Sequence, residues 1–256
     1  MKKLIVIISV LMATTAIEKT QAQDAKEIAY KVYNRTSPKD GESDMTMTLI
    51  NKKGNKRVRS IHQFFIDLGE VERQLMFFTA PADVKNTSFM NWSYDDASKN
   101  DDQWLYLPAL KKVKRISSSN KDNDFMGSDF TYEDMEKRSP ERDEHKFLTT
   151  ETLNGEEVWV VEATPKEEEQ YSKKKAWISK EKSVPLKVEF YDEDGELLKI
   201  LTIKEVKKMG EYWIVVSQEM KNIQKNHSTV ISLTNVTVDI GMGEDKFSQR
   251  EMERGL

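Results

Sequence analysis

A mainly β protein is predicted, built as a single strongly curved antiparallel sheet or open β-barrel with one N-terminal helix and one long loop. Three observations predict it. Apolar residues alternate with period two along most of the chain after residue 34, turn signals such as Asn154-Gly155 and Glu193-Asp194-Gly195 punctuate the alternation, and about a dozen strands in one meander need a curled sheet to fit.

The helix comes first. Ala25 to Asn34 places Ile28, Ala29, Val32 and Tyr33 on one face, with Asp24 as its N-cap. Ser43 to Ile50 then alternates Met45, Met47 and Leu49 against Thr46 and Thr48, and turns at Asn51-Lys52-Lys53-Gly54 into Arg57 to Leu68. Val71 to Thr79, Thr87 to Tyr94, Gln103 to Leu107 and Lys112 to Ser117 follow. The second half reads as His145 to Leu153, Glu157 to Pro165, Lys174 to Ser179, Leu186 to Asp192, Glu196 to Lys207, Tyr212 to Lys221 and Thr229 to Ile240. Runs such as Trp159-Val160-Val161 and Tyr212 to Val216 are apolar on both faces, so a helix, a loop or a ligand has to cover both sides of the sheet in places.

Residues 1–22 read as a secretory signal. Lys2 and Lys3 precede the apolar stretch Leu4 to Ala16, which is too short to span a bilayer, and Thr20 and Ala22 supply the small residues of a cleavage site despite the charged approach of Glu18 and Lys19. The chain contains no cysteine, which removes both disulfides and a lipid-anchor cysteine from consideration. A soluble periplasmic protein with a single domain over 23–256 is the expectation. Removing the signal takes away three basic groups and one acid, so the formal net charge moves from −4 to −6, which argues against nucleic acid or an anionic membrane surface as the main partner.

Catalytic patterns are missing. The three histidines, His62, His145 and His227, stand apart in sequence, and no H-E-x-x-H, G-x-S-x-G or C-x-x-C spacing occurs. Asn120 to Gly127 superficially resembles a calcium loop, yet Phe125 and Thr131 occupy the positions that require Gly and Glu. No metal site and no cofactor is expected. Lys173-Lys174-Lys175, beside the acids Glu167 to Glu169, reads as a solvated strand edge or hairpin that discourages edge pairing, with docking to a negatively charged partner as the alternative.

One segment departs from generic β sequence: Gln103-Trp-Leu-Tyr-Leu-Pro-Ala-Leu-Lys-Lys-Val-Lys-Arg-Ile-Ser, followed by Asp124-Phe-Met-Gly-Ser-Asp-Phe-Thr-Tyr-Glu-Asp-Met135. In its strand, Trp104 and Tyr106 face one way while Leu105 and Leu107 face the other. Lys111, Lys112, Lys114 and Arg115 form a basic ribbon, with salt bridges expected across the loop to Asp122, Asp124, Asp129, Glu133 and Asp134. Phe125-Met126-Gly127 makes an adaptable apolar tip. Together with Phe130 and Tyr132, it either gates a cavity or pins the loop to the core.

This segment resembles the signature of the outer membrane lipoprotein-sorting protein family, a LolA-like group of bacterial envelope carriers. The resemblance implies an open β-barrel of LolA/LolB type, an apolar cavity for acyl chains closed by a helical or loop lid, and no catalysis. The implied ligand is a lipid or an acylated lipoprotein carried towards the outer membrane, with an inner-membrane transporter as a further partner and transient membrane contact. Candidate cavity or gate residues are Trp104, Tyr106, Leu107, Phe125, Met126, Phe130 and Tyr132, and candidate head-group residues are Lys112 and Arg115. The founding carriers hold their lid with one buried arginine, for which the sequence alone offers no aligned counterpart. Two other readings stay open: an envelope scaffold whose sheet is filled by its own side chains, and a hydrolase with a carboxylate site.

Overall fold

A computed structural model describes residues 25–256. The export signal assigned to residues 1–22 and the Asp24 cap lie outside the described residues. Thirteen strands run through the chain: β1 (Asp40–Ile50), β2 (Lys56–Asp67), β3 (Val71–Ala80), β4 (Ser88–Tyr94), β5 (Asp102–Leu107), β6 (Lys112–Arg115), β7 (Asp143–Leu153), β8 (Glu156–Pro165), β9 (Lys173–Ser179), β10 (Pro185–Tyr191), β11 (Leu197–Met209), β12 (Tyr212–Asn222) and β13 (His227–Val238). Each coincides with a stretch of period-two alternation or an apolar run, displaced by a few residues at the ends. Helix α1 covers 25–33, and a short helix α2 (Gln249–Arg254) closes the chain.

The chain divides into two compact units. The first contains α1 and residues Pro140–Glu196. Its strands pair antiparallel in the order β7-β8-β9-β10. Ala25 and Ile28 of α1 pack on Val161 and Ile178 of one sheet face, with Val32, Phe147 and Trp159 around them, while Val158, Val160 and Trp177 form a second cluster. Glu141 ties the helix down by accepting from Lys26 Nζ and from the Tyr30 hydroxyl. Of the two settings expected for Lys173 to Lys175, the sheet edge is corrected and the hairpin is found: β9 pairs with β8 and forms a hairpin with β10, so it is an interior strand. The three ammonium groups lie over aromatic rings, Lys173 Nζ 4.9 Å from the centroid of Tyr191, Lys174 Nζ 4.9 Å from that of Tyr171 and Lys175 Nζ 4.6 Å from that of Trp177, and this is how three cations fit inside a sheet.

The second unit contains residues Thr36–Ser139 and Leu197–Leu256. Its nine strands are ordered β6-β5-β4-β3-β2-β1-β13-β12-β11, so a six-strand meander from the front of the chain joins a three-strand meander from its end through the β1–β13 pair. The two faces are covered differently. On one, Phe64, Ile66, Leu75, Phe77 and Met90 pack with Phe247 and Met252 from the C-terminal segment. The other carries Met45, Met47, Leu49, Ile61, Met76, Phe78 and Phe89, all buried.

Helix α2 is absent from the sequence reading, although a local signal announces it. Ser248 is its N-cap, accepting from the Glu251 amide, and Ser248-x-x-Glu251 is the capping-box spacing. Its single buried side chain, Met252, enters the cluster on the sheet.

Gly41 sits where β1 passes closest to its neighbours. A Cβ placed there would collide with the Thr237 carbonyl oxygen and lie 2.8 Å from the Phe65 ring, so no side chain fits between β2 and β13. Gly41→Ala is predicted to destabilise unit 2 by about 2 kcal/mol through overpacking, read as a lowered urea midpoint; an unchanged midpoint would show that the β1–β13 register yields without cost.

Candidate functional site

The site grows from the segment between β6 and the end of the first stretch of unit 2, residues 116–139. It contains only single 3-10 turns and one isolated bridge, Asp124 with Thr131, so its own backbone pairing does not hold it in place. Side chains from six strands hold it instead, across the face of Met45 and Phe89.

Aromatic packing fixes its middle. Phe125 is fully buried and meets the rings of Phe78, Phe89 and Tyr132 at 6.3, 4.9 and 5.5 Å. Phe130 and Tyr132 are buried as well, and burial pushes the Tyr132 phenol up from its ordinary pKa. Met126 has left-handed φ of 51° and Gly127 follows at 73°, a pair of conformations that turns the backbone sharply outward. Met126 is thereby left half-buried at the tip.

Polar anchors surround this core. Lys199 of β11, only 2% exposed, donates to Asp134 Oδ2 at 2.6 Å and to the Asp129 carbonyl at 3.2 Å. Asp129 is buried, with its Oδ2 2.7 Å from His227 Nδ1 and accepting from the Thr229 hydroxyl at 2.6 Å, while its amide donates back to Thr229 Oγ1 at 3.0 Å. Lys121 donates to the Asp101 carbonyl at 2.9 Å and pairs with Glu136. Gln103 of β5 donates to the Tyr132 carbonyl at 2.8 Å, and Asn91 of β4 to that of Met135 at 3.3 Å. Arg59 reaches from β2 to the Met126 carbonyl at the tip. Its guanidinium is pushed below its ordinary pKa by burial, and it forms no ion pair among the described residues.

The candidate residues from the sequence therefore divide. Phe125, Met126, Phe130 and Tyr132 come together in the loop, and strand alternation puts Leu107 on the face that bears Phe89. Trp104 and Tyr106 lie on the opposite face, packed on the cluster that contains Phe247 and Met252. There the Trp104 ring meets Trp92 at 5.3 Å. Lys112 and Arg115 lie on the edge strand β6, both exposed, and Arg115 Nε donates to Asp102 at 3.0 Å. The expected salt bridges between this ribbon and the loop acids are corrected. Asp124 pairs with Lys225, Asp129 with His227, Glu133 with Arg138 and Asp134 with Lys199, because the loop crosses the sheet towards β11–β13 and away from β6.

Sequence reasoning missed Arg59, Lys199, His227 and Thr229 as loop anchors. Their signal was weak: Lys199 is a lone cation in Leu197-Leu198-Lys199-Ile200-Leu201, an apolar strand context in which a charge requires a partner. Among the described residues no group of three or more His, Asp and Glu side chains is placed to hold a metal ion, and no helix is long and apolar enough to cross a membrane.

Thirteen antiparallel strands, an N-terminal helix and a long loop laid over an apolar sheet face define a mainly β protein of LolA-like fold. A LolA superfamily protein from Nitrosomonas europaea superposes with a TM-score of 0.66 at 16% identity, over 90% of this chain and 99% of that one. The similarity to two further solved structures is greater. One, described as an outer membrane lipoprotein-sorting protein domain from Vibrio parahaemolyticus, is 37% identical with a TM-score of 0.86, covering 91% of this chain and 100% of its own. The other, a DUF1329 family protein from Desulfovibrio piger, is 28% identical with a TM-score of 0.85, covering 91% and 99%. A family model described as "Uncharacterized protein" matches residues 70–254, and no curated protein matches the chain. The chain belongs to the outer membrane lipoprotein-sorting protein family, in its DUF1329 group.

Two stability predictions follow from the anchors. Phe125→Ser is expected to cost about 3 kcal/mol as a large-to-small core substitution, whereas Met126→Ser at the half-buried tip should shift the urea midpoint little. Asp134→Asn leaves the Lys199 ammonium buried without its counter-charge and should cost about 3 kcal/mol. Adding Lys199→Met should recover most of that loss; a double variant as unstable as the single one would show that the pair does not act as a unit.

Proposed function

We propose that the protein is a periplasmic carrier that holds the acyl chains of lipids or lipoproteins against the apolar face of unit 2, on their way to the outer membrane. One observation carries the reading. The loop over that face is held by side chains, an aromatic cluster around Phe125 bordered by charged and polar anchors, and not by strand pairing with the sheet, so it can separate from the sheet without breaking a strand ladder. Met45, Met47, Met76 and Met220 are buried in this unit, and their unbranched thioether chains adapt to guests of different shape. Membership in the outer membrane lipoprotein-sorting family, and a LolA superfamily neighbour of like fold, support the same reading.

Holding an acyl chain requires no reaction. Each methylene removed from water contributes about 0.8 kcal/mol, so a chain of ordinary length binds by partition once the loop admits it. Arg59 serves as the latch in this scheme, because it grips the tip through a backbone carbonyl and leaves the Met126 side chain unconstrained. An inner-membrane donor is the partner that would load such a carrier, and the outer membrane the acceptor.

Native mass spectrometry of the protein taken from its own envelope, with lipid extraction, tests the reading. Adducts that release acylated molecules are expected; a protein that is adduct-free and binds no fluorescent acyl probe is a scaffold filled by its own side chains. Arg59→Ala is predicted to speed probe exchange severalfold and to raise hydrogen exchange over residues 123–130 while the strands stay protected. Unchanged exchange at the loop would remove Arg59 from this role.

A further inference from the structure

At one end of unit 2, the β1–β2 turn (51–55), the β12–β13 turn (223–226) and the loop tip (124–129) surround two adjoining clefts of about 520 and 450 Å³. Both are lined by Asn51, Asn55, Gly127 and His227. The cations around them are Lys52, Lys53, Lys56, Arg57 and Lys225, against two carboxylates, Asp124 and Asp129. This leaves a local excess of three positive charges on a chain whose formal net charge is −4.

Both carboxylates are already engaged. Asp124 pairs with Lys225 at 3.2 Å, and Asp129 is taken up by His227 and Thr229. Lys52, Lys53, Lys56 and Arg57 form no ion pair among the described residues, and like charges gathered without counter-charge repel one another until an anion relieves them. The turn that presents them is stiff: Asn51 Oδ1 accepts from the Lys53 and Asn55 amides at 2.9 and 3.1 Å, and Gly54 takes φ +80°. His227, which lines both clefts, is held from behind by Asp129 through Nδ1. The apolar side of the cleft is Leu49, two residues along β1 from Met47 on the same face. A cationic rim thus sits at the end of an apolar strip.

We infer that these clefts bind the phosphate ester of an amphiphile's headgroup, with Leu49 marking where its apolar part begins. The inference rests on the carrier reading and adds the ligand's charge class to it. It also moves headgroup recognition away from β6, where Arg115 is already spent on Asp102.

The test uses the full exported chain and water-soluble short-chain lipids titrated by calorimetry: dihexanoyl phosphatidic acid, a neutral dihexanoyl glycerol, and inorganic phosphate alone. The phosphorylated lipid should bind about tenfold more tightly than the neutral one, with the preference weakening in high salt, since several exposed charges contribute small screened increments. Lys52→Gln/Lys53→Gln/Arg57→Gln should abolish that preference while leaving neutral-lipid affinity and the melting temperature unchanged, because all three side chains are exposed. Equal affinity for the two lipids, or a preference that survives the triple substitution, overturns the headgroup site and leaves the carrier reading standing. Inorganic phosphate binding as tightly as the phosphorylated lipid shows a free-anion site and overturns the headgroup assignment. Failure to bind either lipid overturns the carrier reading itself.

Discussion

Lys199 is the constraint around which unit 2 is arranged. An ammonium removed from water costs several kcal/mol unless a counter-charge and further acceptors meet it, and β11 delivers this one into an apolar strand context. Asp134 and the Asp129 carbonyl answer it, and both belong to the loop that starts at the opposite edge of the same sheet. Satisfying one buried charge therefore pulls 116–139 across nine strands. Once there, the loop brings Phe125 onto Phe89 and Asp129 onto His227, so the aromatic and polar contacts reinforce a path that the lysine requires.

Two coverings on two faces explain why so many strands are apolar on both sides. The C-terminal segment seals one face with Phe247 and Met252, side chains that contact the sheet as ordinary core. The loop seals the other through a small aromatic knot bordered by ion pairs. Apolar burial is non-directional and tolerates small shifts, whereas charge-assisted hydrogen bonds hold only in one geometry. The first covering behaves as part of the sheet and the second as a fitted piece with a defined seat.

Much of this was legible in the sequence. Most strands follow from period-two alternation and the rest from apolar runs such as Tyr212 to Val216, and the turns follow from Gly and Asn at positions of positive φ such as Asn154 and Gly155. The long loop was visible because residues 118–135 lack either period. Its anchors were not, because alternation reports which face a residue occupies and says nothing of what crosses that face. Trp104 and Phe125 stand in one distinctive stretch of sequence yet belong to opposite faces, and only the β4–β5 register, Met90 opposite Trp104 and Phe89 opposite Leu105, separates them. The edge reading of Lys173 to Lys175 failed for a related reason: three consecutive charges suggest an edge, and the aromatic rings that their ammonium groups meet come from other strands or lie outside the triplet. The boundaries between the two units, after Arg35, before Pro140 and after Glu196, carry only short turn signals, Thr36-Ser37-Pro38, Ser139-Pro140 and Asp194-Gly195, of the kind that also separates strands within a unit.

The junction of β1 with β13 has a consequence for how the molecule is made. Gly41 lies opposite Val238 and Ile50 opposite Ser228, so an interior strand pair of unit 2 unites its first strand with its last in sequence. Pairings so distant in sequence form slowly, since the loop between them has to close before any contact rewards it. A growing chain can assemble β1 to β6 as a meander, but β1 keeps an open edge, with Met45, Met47 and Leu49 in the strand that bears it, until the last strand is synthesised. The sheet of unit 2 is complete only once β13 has been made, so its central ladder forms after the front meander rather than alongside it.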